Sequence, residues 1–250
     1  MTLVIAPLSA LLEGLIDYAG LFPPASLSME EALRNYDRYR HGEHARMLGR
    51  FIVPEGKLDQ VPEDVPVSVL ADDVREYDRV VDSIETKKLP VVSASVPVYV
   101  EGADLDDLAR LGLHAKIRTG GVTADAFPSA DDIASFIQQC REKNVAFKAT
   151  AGLHHPVRCV KPLTYAADAP RGTMHGFLNV FFAALFPDAA REILLEDDPK
   201  AFVLEDESIG WRVRRASTLD VVTMRKDFAH SFGSCSFEEP VADLKEIGWL

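Results

Sequence analysis

The cations of two short segments carry the clearest chemical signal in this chain. The segments are Ala115-Lys116-Ile117-Arg118-Thr119-Gly120-Gly121 and Ala146-Phe147-Lys148-Ala149-Thr150-Ala151-Gly152-Leu153-His154-His155. Each alternates apolar with polar residues and then breaks at glycine, the pattern of a strand that ends in a turn. Successive strand side chains point to opposite faces, so Lys116 and Arg118 share one face, as do Lys148 and Thr150. Three cations in a dry interior repel one another unless an anion or acidic neighbours compensate. This face therefore predicts a pocket for a carboxylate or a phosphate. The alternative is that Lys116 or Arg118 pairs with a core acid and does nothing more. Lys148, with Lys116 and Arg118 beside it, is expected to lose proton affinity. Such a lysine offers a free amine that attacks a carbonyl or removes a proton. On that reading Lys148→Met folds and loses turnover; an inert anion-binding lysine is the alternative.

Several other residues belong to the same candidate site. His154 and His155 follow Gly152 in a loop, where either can shuttle protons for Lys148. Either can also ligate a metal with Asp72 or Glu55, although the spacing matches no helix-borne zinc motif. Asp17 and Tyr18 stand at the entrance to a rigid turn, Gly20-Leu21-Phe22-Pro23-Pro24, with Asp17 as acid, base or orienter. Tyr18 either contacts substrate or plugs the barrel with Phe22. Ser234 and Ser236, in Phe232-Gly233-Ser234-Cys235-Ser236-Phe237, precede a helix start and form a candidate anion cradle, weakened by Glu238 and Glu239. Cys235 has no partner in the sequence and reads as a packed thiol. Asn179, in His175-Gly176-Phe177-Leu178-Asn179, opens a helical stretch after a long loop and is a candidate substrate contact. That loop, Gly152 to Met174, carries Arg158, Lys161 and Arg171 and reads as a lid over an anion.

Helices and strands alternate along the chain in the order that positions these residues. Helix signals are the Ser28–Glu31 capping box, Asp72 or Asp73 before Val74, Tyr77, Val81 and Ile84, and the short stretch Leu105 to Ala109. Others are Ser129 with Asp132 before Ile133, Phe136, Ile137 and Cys140, Ser217 with Asp220, and a last helix near Pro240. Strand signals fall at Leu15–Leu21, Gly49–Val53, Val67–Ala71, Val91–Val96, Leu113–Arg118, Val145–Thr150 and Phe232–Phe237. This order predicts parallel β/α units, and 250 residues suit one (β/α)8 TIM-type barrel. The barrel is expected to be incomplete or distorted around strand 7, with the missing strand near Gly176–Phe182. Residues 1–250 are read as one barrel domain with a helical and hairpin insertion at about 152–213. The hairpin is expected at Phe202–Val213, turning near Asp206-Glu207-Ser208. An open doubly wound sheet is the alternative. Chemistry at the C-terminal strand ends collects Asp17, Tyr18, Glu55, Asp72, Ser93, Ser95, Lys116, Arg118, Lys148, Thr150, His154, His155 and Ser234 to Ser236.

Phe147-Lys148-Ala149-Thr150-Ala151-Gly152 resembles the Lys-Thr-Ser-Thr-Gly segment of deoxyribose-phosphate aldolases. The resemblance covers about six residues of 250 and extends to Schiff-base aldolase barrels as a class. In that family the lysine forms the Schiff base at the end of the sixth barrel strand. The strand count above places Lys148 on the sixth strand too. The chain departs from the family in its serine–threonine pattern. The family's second lysine lies on strand seven, whereas Lys116 counts to strand five.

Hydrophobic residues make up 47%, enough for a full core, and 39 acids against 27 bases give a net charge of −12. That charge argues against nucleic acid and anionic lipid as partners. No run reaches a membrane span, and Met1 to Leu15 lacks the basic region and cleavage site of a signal peptide. Three cysteines without metal-type spacing suit a reduced cytoplasmic protein. The expected function is a lyase or aldolase acting on a small anionic carbonyl metabolite. The expected catalytic residues are Lys148, Lys116, His154, His155 and Asp17. Arg118, Thr150, Tyr18, Ser234, Ser236 and Asn179 are the expected substrate contacts. No cofactor or metal is expected; a homo-oligomer is compatible with the chain. The alternatives are a metal-dependent isomerase or hydrolase using His154 or His155, and a non-catalytic anion-binding barrel.

Overall fold

Eight parallel strands close on themselves in a computed structural model that describes residues 6–92 and 94–250. In chain order the elements begin α1 (Pro7–Leu12), β1 (Ile16–Tyr18), α2 (Met29–Arg40), β2 (Leu48–Pro54), β3 (Val67–Leu70), β4 (Ser83–Thr86) and β5 (Val98–Glu101). They continue α3 (Leu105–Leu111), β6 (His114–Arg118), α4 (Ala130–Glu142), β7 (Phe147–Thr150), β8 (Cys159–Pro162), β9 (Arg171–Met174), α5 (Phe177–Leu185) and α6 (Ala190–Leu195). The chain ends β10 (Phe202–Leu204), β11 (Ser208–Trp211), β12 (Arg214–Ser217), α7 (Thr218–Asp227), β13 (Ala229–Ser234) and α8 (Glu238–Glu246). The barrel order is β1-β13-β7-β6-β5-β4-β3-β2, each strand parallel to its neighbours. This is a (β/α)8 TIM-type barrel, not an open sheet.

Three capping boxes start helices where serine precedes an acid by three residues: Ser28–Glu31, Ser129–Asp132 and Ser217–Asp220. Behind Ser129, Ile133, Ile137 and Cys140 lie at helical spacing and are buried; Phe136 meets the Phe147 ring edge-on at 5.4 Å. Helix α5 is apolar nearly all round because it is enclosed on all sides. Its Phe177 ring stacks on Phe232 of β13 at 5.2 Å. Thus Gly176–Phe182, expected to supply a strand, supplies this helix instead.

The missing strand is β4. Residues around Val74 to Ile84 show apolar spacing close to a helical period, but the chain there runs irregularly and then extends at Ser83–Thr86. Two further strands shift. Val91–Val96 is not a strand: its described residues are bends or irregular, and the strand begins at Val98. Ser93 and residues 1–5 lie outside the described residues. The last barrel strand starts at Ala229 and ends at Ser234, three residues earlier than its apolar run suggests. Among the described residues, the connections β3–β4 and β4–β5 carry no helix. Between β7 and β13 the chain inserts the antiparallel ribbon β8–β9, helices α5 and α6, and the three-stranded sheet β10–β11–β12. No helix among the described residues is long and apolar enough to cross a membrane.

Candidate functional site

Barrel interiors of this type are usually filled by branched aliphatic side chains, but the middle layer here is charged. The parity of each strand sets it. Asp17 of β1, Ser68 of β3, Ser83 and Glu85 of β4, Glu101 of β5, Lys116 of β6, Lys148 of β7 and Ser231 of β13 meet in one network. Lys116 and Lys148 are register partners on neighbouring strands, as are Arg118 and Thr150. Lys148 Nζ donates to Asp17 Oδ2 at 2.5 Å and to Glu85 Oε1 at 2.7 Å. Glu85 Oε2 lies 2.9 Å from Lys116 Nζ, so one carboxylate bridges both amines. Glu101 Oε2 stands 3.2 Å from Lys116 Nζ, an ion pair without hydrogen-bond alignment. Ser231 and Ser68 donate to Asp17 and Glu85, and Asp17 Oδ1 also accepts the Arg50 backbone N–H. Gly49 lets the β2 backbone come this close, because a Cβ there would strike Asp17 Oδ1.

The acids reverse the expected electrostatics of Lys148. Burial pulls its proton affinity down, but Asp17 and Glu85 against the ammonium outweigh burial and raise it above the ordinary lysine value. Burial likewise pushes Glu85 up, and Lys148 and Lys116 overcome that and hold its carboxyl well below the usual range. The cations expected to lower one another are therefore neutralised by carboxylates from β1, β4 and β5. No external anion is needed to balance them. Lys148 is fully buried, while Lys116 reaches the cavity above.

That cavity, of about 410 Å³, opens at the C-terminal strand ends and is lined by Glu85, Lys116, Arg118, Thr150, His154 and Cys235, among others. Ile52, Leu70, Phe22, Pro23 and Pro24 form apolar wall. Arg118 stands at the rim, its side chain 49% exposed, with Glu101 Oε1 3.6 Å from its Nε. The ends of β6 and β7 close against each other at glycine. Gly152 has φ +78°, and a Cβ there would lie 2.7 Å from Gly120 Cα. Ala151 just before it also has positive φ, +60°, a conformation unfavourable for a residue with a side chain. Its carbonyl is held by Thr119 Oγ1 at 2.6 Å.

A second cluster occupies the rim. His154 Nδ1 lies 2.8 Å from Glu239 Oε2, which leaves Nε2 facing Cys235 Sγ at 4.0 Å. Tyr165, from the β8–β9 ribbon, donates to Glu239 Oε2 at 3.0 Å and sits 3.8 Å from Cys235 Sγ. Burial lowers the His154 pKa, but its contacts with Cys235 and Glu239 prevail and raise it to about 9. Burial pushes the Glu239 carboxyl up, and His154 more than offsets this, leaving it lowered.

The structure thus brings Asp17, Lys116, Arg118, Lys148, Thr150 and His154 to one site, and it sets the other expected residues apart. Tyr18 points outward against α2, its hydroxyl 3.5 Å from Asn35 and its ring against Tyr39 and Phe51. Asn179 is fully buried inside the insertion, where its amide bonds Ile193 O, Glu196 O and Arg158 N–H. Ser234 Oγ and Ser236 Oγ accept the N–H groups of Ser236 and Glu239 and so cap the turn into α8, while Cys235 between them lines the cavity. His155 turns to Asp243 at 2.6 Å. Among the described residues, no group of three or more His, Cys, Asp or Glu side chains is placed to hold a metal ion. Glu55 pairs with Arg75. Glu85, Glu101 and Glu239 escaped the sequence reading. For Glu85 a signal existed, since Ser83-Ile84-Glu85-Thr86 alternates in the same way as Lys116 and Arg118 do.

Comparison with protein-family models, with curated proteins and with solved structures gives no match for this chain.

Proposed function

We propose that the barrel is an aldolase-like lyase acting on a small carbonyl compound that carries a carboxylate or phosphate, with Lys116 as its amine. The observation that carries this reading is the bridge through Glu85. Two amines share one carboxylate, and only Lys116 also lines the cavity. Lys148 fixes Glu85 from below. Glu101, with an unaligned carboxylate oxygen beside Lys116, takes the proton that the amine must lose. Neutral Lys116 Nζ then adds to the substrate carbonyl carbon, and loss of water leaves an iminium able to accept the electron pair of a breaking carbon–carbon bond. Arg118 at the rim holds the substrate's anion as a planar, always-charged fork. Thr150 and His154 are placed to hydrogen-bond and protonate substrate oxygens.

The strand count bears on the aldolase resemblance. β4 is the fourth barrel strand, so Lys116 lies on the sixth and Lys148 on the seventh. The segment resemblance singles out Lys148, whereas the position of the family's Schiff-base lysine, strand six, belongs to Lys116. The accessible amine and the strand position favour the same residue, and the proposal follows them. Borohydride reduction in the presence of glyoxylate or pyruvate, followed by peptide mass mapping, tests it. A reduced adduct on Lys116, absent in Lys116→Gln, is the expected result. An adduct on Lys148 reverses the assignment, and binding of the keto acid without any adduct sinks the lyase reading in favour of an anion-binding barrel.

A further inference from the structure

We propose that Cys235, His154 and Glu239 form a nucleophilic triad that adds reversibly to small anionic aldehydes entering the same cavity. The proposal goes beyond the lysine chemistry because it uses a different reactive atom, the Cys235 sulfur, while His154 and Arg118 serve both. Cys235 follows Gly233 at the same parity on the end of β13 and so projects into the cavity. His154 comes from the loop after β7 and Glu239 from the first turn of α8. The order of contacts is thiol, imidazole, carboxylate: Sγ to Nε2 at 4.0 Å, then Nδ1 to Oε2 at 2.8 Å. A carboxylate on Nδ1 fixes the ring so that Nε2 serves the thiol, the arrangement that activates a nucleophile through a base held by a third group. Cys140, by contrast, is fully buried in α4, and burial pushes its thiol up to about 12. The groups facing the pair are Glu239 of α8 and Tyr165 from the ribbon, with the His155–Asp243 pair beside them.

The chemistry balances without any further reactant. The reacting form is the Cys235 thiolate beside the His154 imidazolium, the charge state that the contacts holding the proton on His154 favour. The thiolate forms a carbon–sulfur bond to the aldehyde carbon, the carbonyl π pair moves to oxygen, and the imidazolium gives its proton to that oxygen. The product is a hemithioacetal, and the reverse path releases the aldehyde. Arg118, on the rim of the same cavity, selects aldehydes with a carboxylate or phosphate. Tyr165 covers the thiol from outside.

Alkylation kinetics in Cys159→Ser protein test the triad, with mass mapping of the modified cysteine. Cys235 is expected to be alkylated by iodoacetate faster than Cys140 and faster than in either triad variant. His154→Asn should slow it about 100-fold and Glu239→Gln about tenfold. Glu239→Gln keeps the side-chain volume, so it carries the test if His154→Asn fails to fold. Arg118→Gln should slow iodoacetate and leave iodoacetamide unchanged. Reaction of Cys235 that is indifferent to His154 and Glu239 overturns the triad. Glyoxylate should protect Cys235 from iodoacetamide in wild type and in Lys116→Gln alike. Protection lost in Lys116→Gln overturns the thiol adduct and leaves the lysine reading standing, while protection kept in Lys116→Gln with no borohydride adduct on Lys116 in wild type overturns the lysine reading and leaves the thiol adduct standing.

Discussion

The barrel holds two clusters of ionisable groups that differ in kind. In the middle layer Asp17, Glu85, Lys116 and Lys148 are at most 6% exposed and packed at 2.5–2.9 Å, each charge against an opposite one. At the rim, Cys235 and His154 face a cavity across 4.0 Å, and only the imidazole–carboxylate contact is tight. Burial acts against the charged forms in both places. In the middle layer the opposing charges win so strongly that Lys148 and Glu85 stay ionised across the pH range where proteins work. At the rim the balance leaves His154 titrating near pH 9, within reach. Dense reciprocal pairing fixes positions and freezes protons, whereas sparse pairing leaves a proton free to move. Lys116 lies on the boundary, bound to the frozen network through Glu85 and open to the cavity above.

The largest effect should come from cutting the network. Glu85→Gln leaves Lys148 and Lys116 short of a counter-charge, and breaking a buried pair in this way costs about 3–5 kcal/mol. Lys148→Met should cost a similar amount, because Asp17 and Glu85 would be left facing each other's charge in a dry layer. This replaces the expectation from the sequence that Lys148→Met folds undisturbed. Urea unfolding of each variant and of the double variant measures the coupling, and the double should cost less than the sum. Strict additivity would mean that the middle layer is a set of separate pairs, and the contrast with the rim would lose its basis.

A smaller effect is expected from Asn179→Ala. The side chain satisfies one backbone N–H and two carbonyls that link α5, α6 and the loop before them. Leaving those buried groups unpaired should cost about 2–3 kcal/mol while alkylation of Cys235 and adduct formation at Lys116 stay as in wild type. Loss of either reaction in a folded Asn179→Ala protein would return Asn179 to the site.

The sequence disclosed these regions unequally. Alternation in Ala115–Arg118 and Phe147–Thr150 was enough to aim Lys116, Arg118 and Lys148 inward, and three capping boxes were visible as serine–acid spacings. Asp17 was legible too, but Glu85, the acid that bridges both lysines, was hidden because β4 is four residues long and Val74, Tyr77 and Val81 before it, with Ile84 inside it, fall near a helical period. With β4 unseen, the strand count slipped by one and moved both lysines one strand back. α5 posed the opposite problem: a helix enclosed on every side has no polar face, so Phe177-Leu178-Asn179-Val180-Phe181-Phe182 reads equally as a buried strand. The rim triad joins His154 to Cys235 and Glu239, 81 and 85 positions further on. Its members become neighbours only when β13 closes the barrel between β7 and β1, and no local spacing announces that.

The gentlest test of the contrast is pH. His154 titrates near 6.5 in the unfolded chain and about 9 in the fold. A group whose folded pKa is raised adds stability that is complete below the unfolded value and disappears as pH rises through the folded one. The contacts of His154 with Cys235 and Glu239 should therefore stabilise fully below pH 6.5 and lose that contribution between 6.5 and 9, by about 3 kcal/mol at most. Lys148 has its pKa raised beyond this window and Glu85 has its lowered below it, so the middle layer contributes no slope there. Urea unfolding at pH 6 and pH 9.5 reads the difference, and Glu239→Gln should flatten it by removing the charge that holds the imidazolium. A slope that survives unchanged in Glu239→Gln would place the titrating group elsewhere and remove the evidence that the rim, unlike the layer beneath it, exchanges a proton between pH 6.5 and 9.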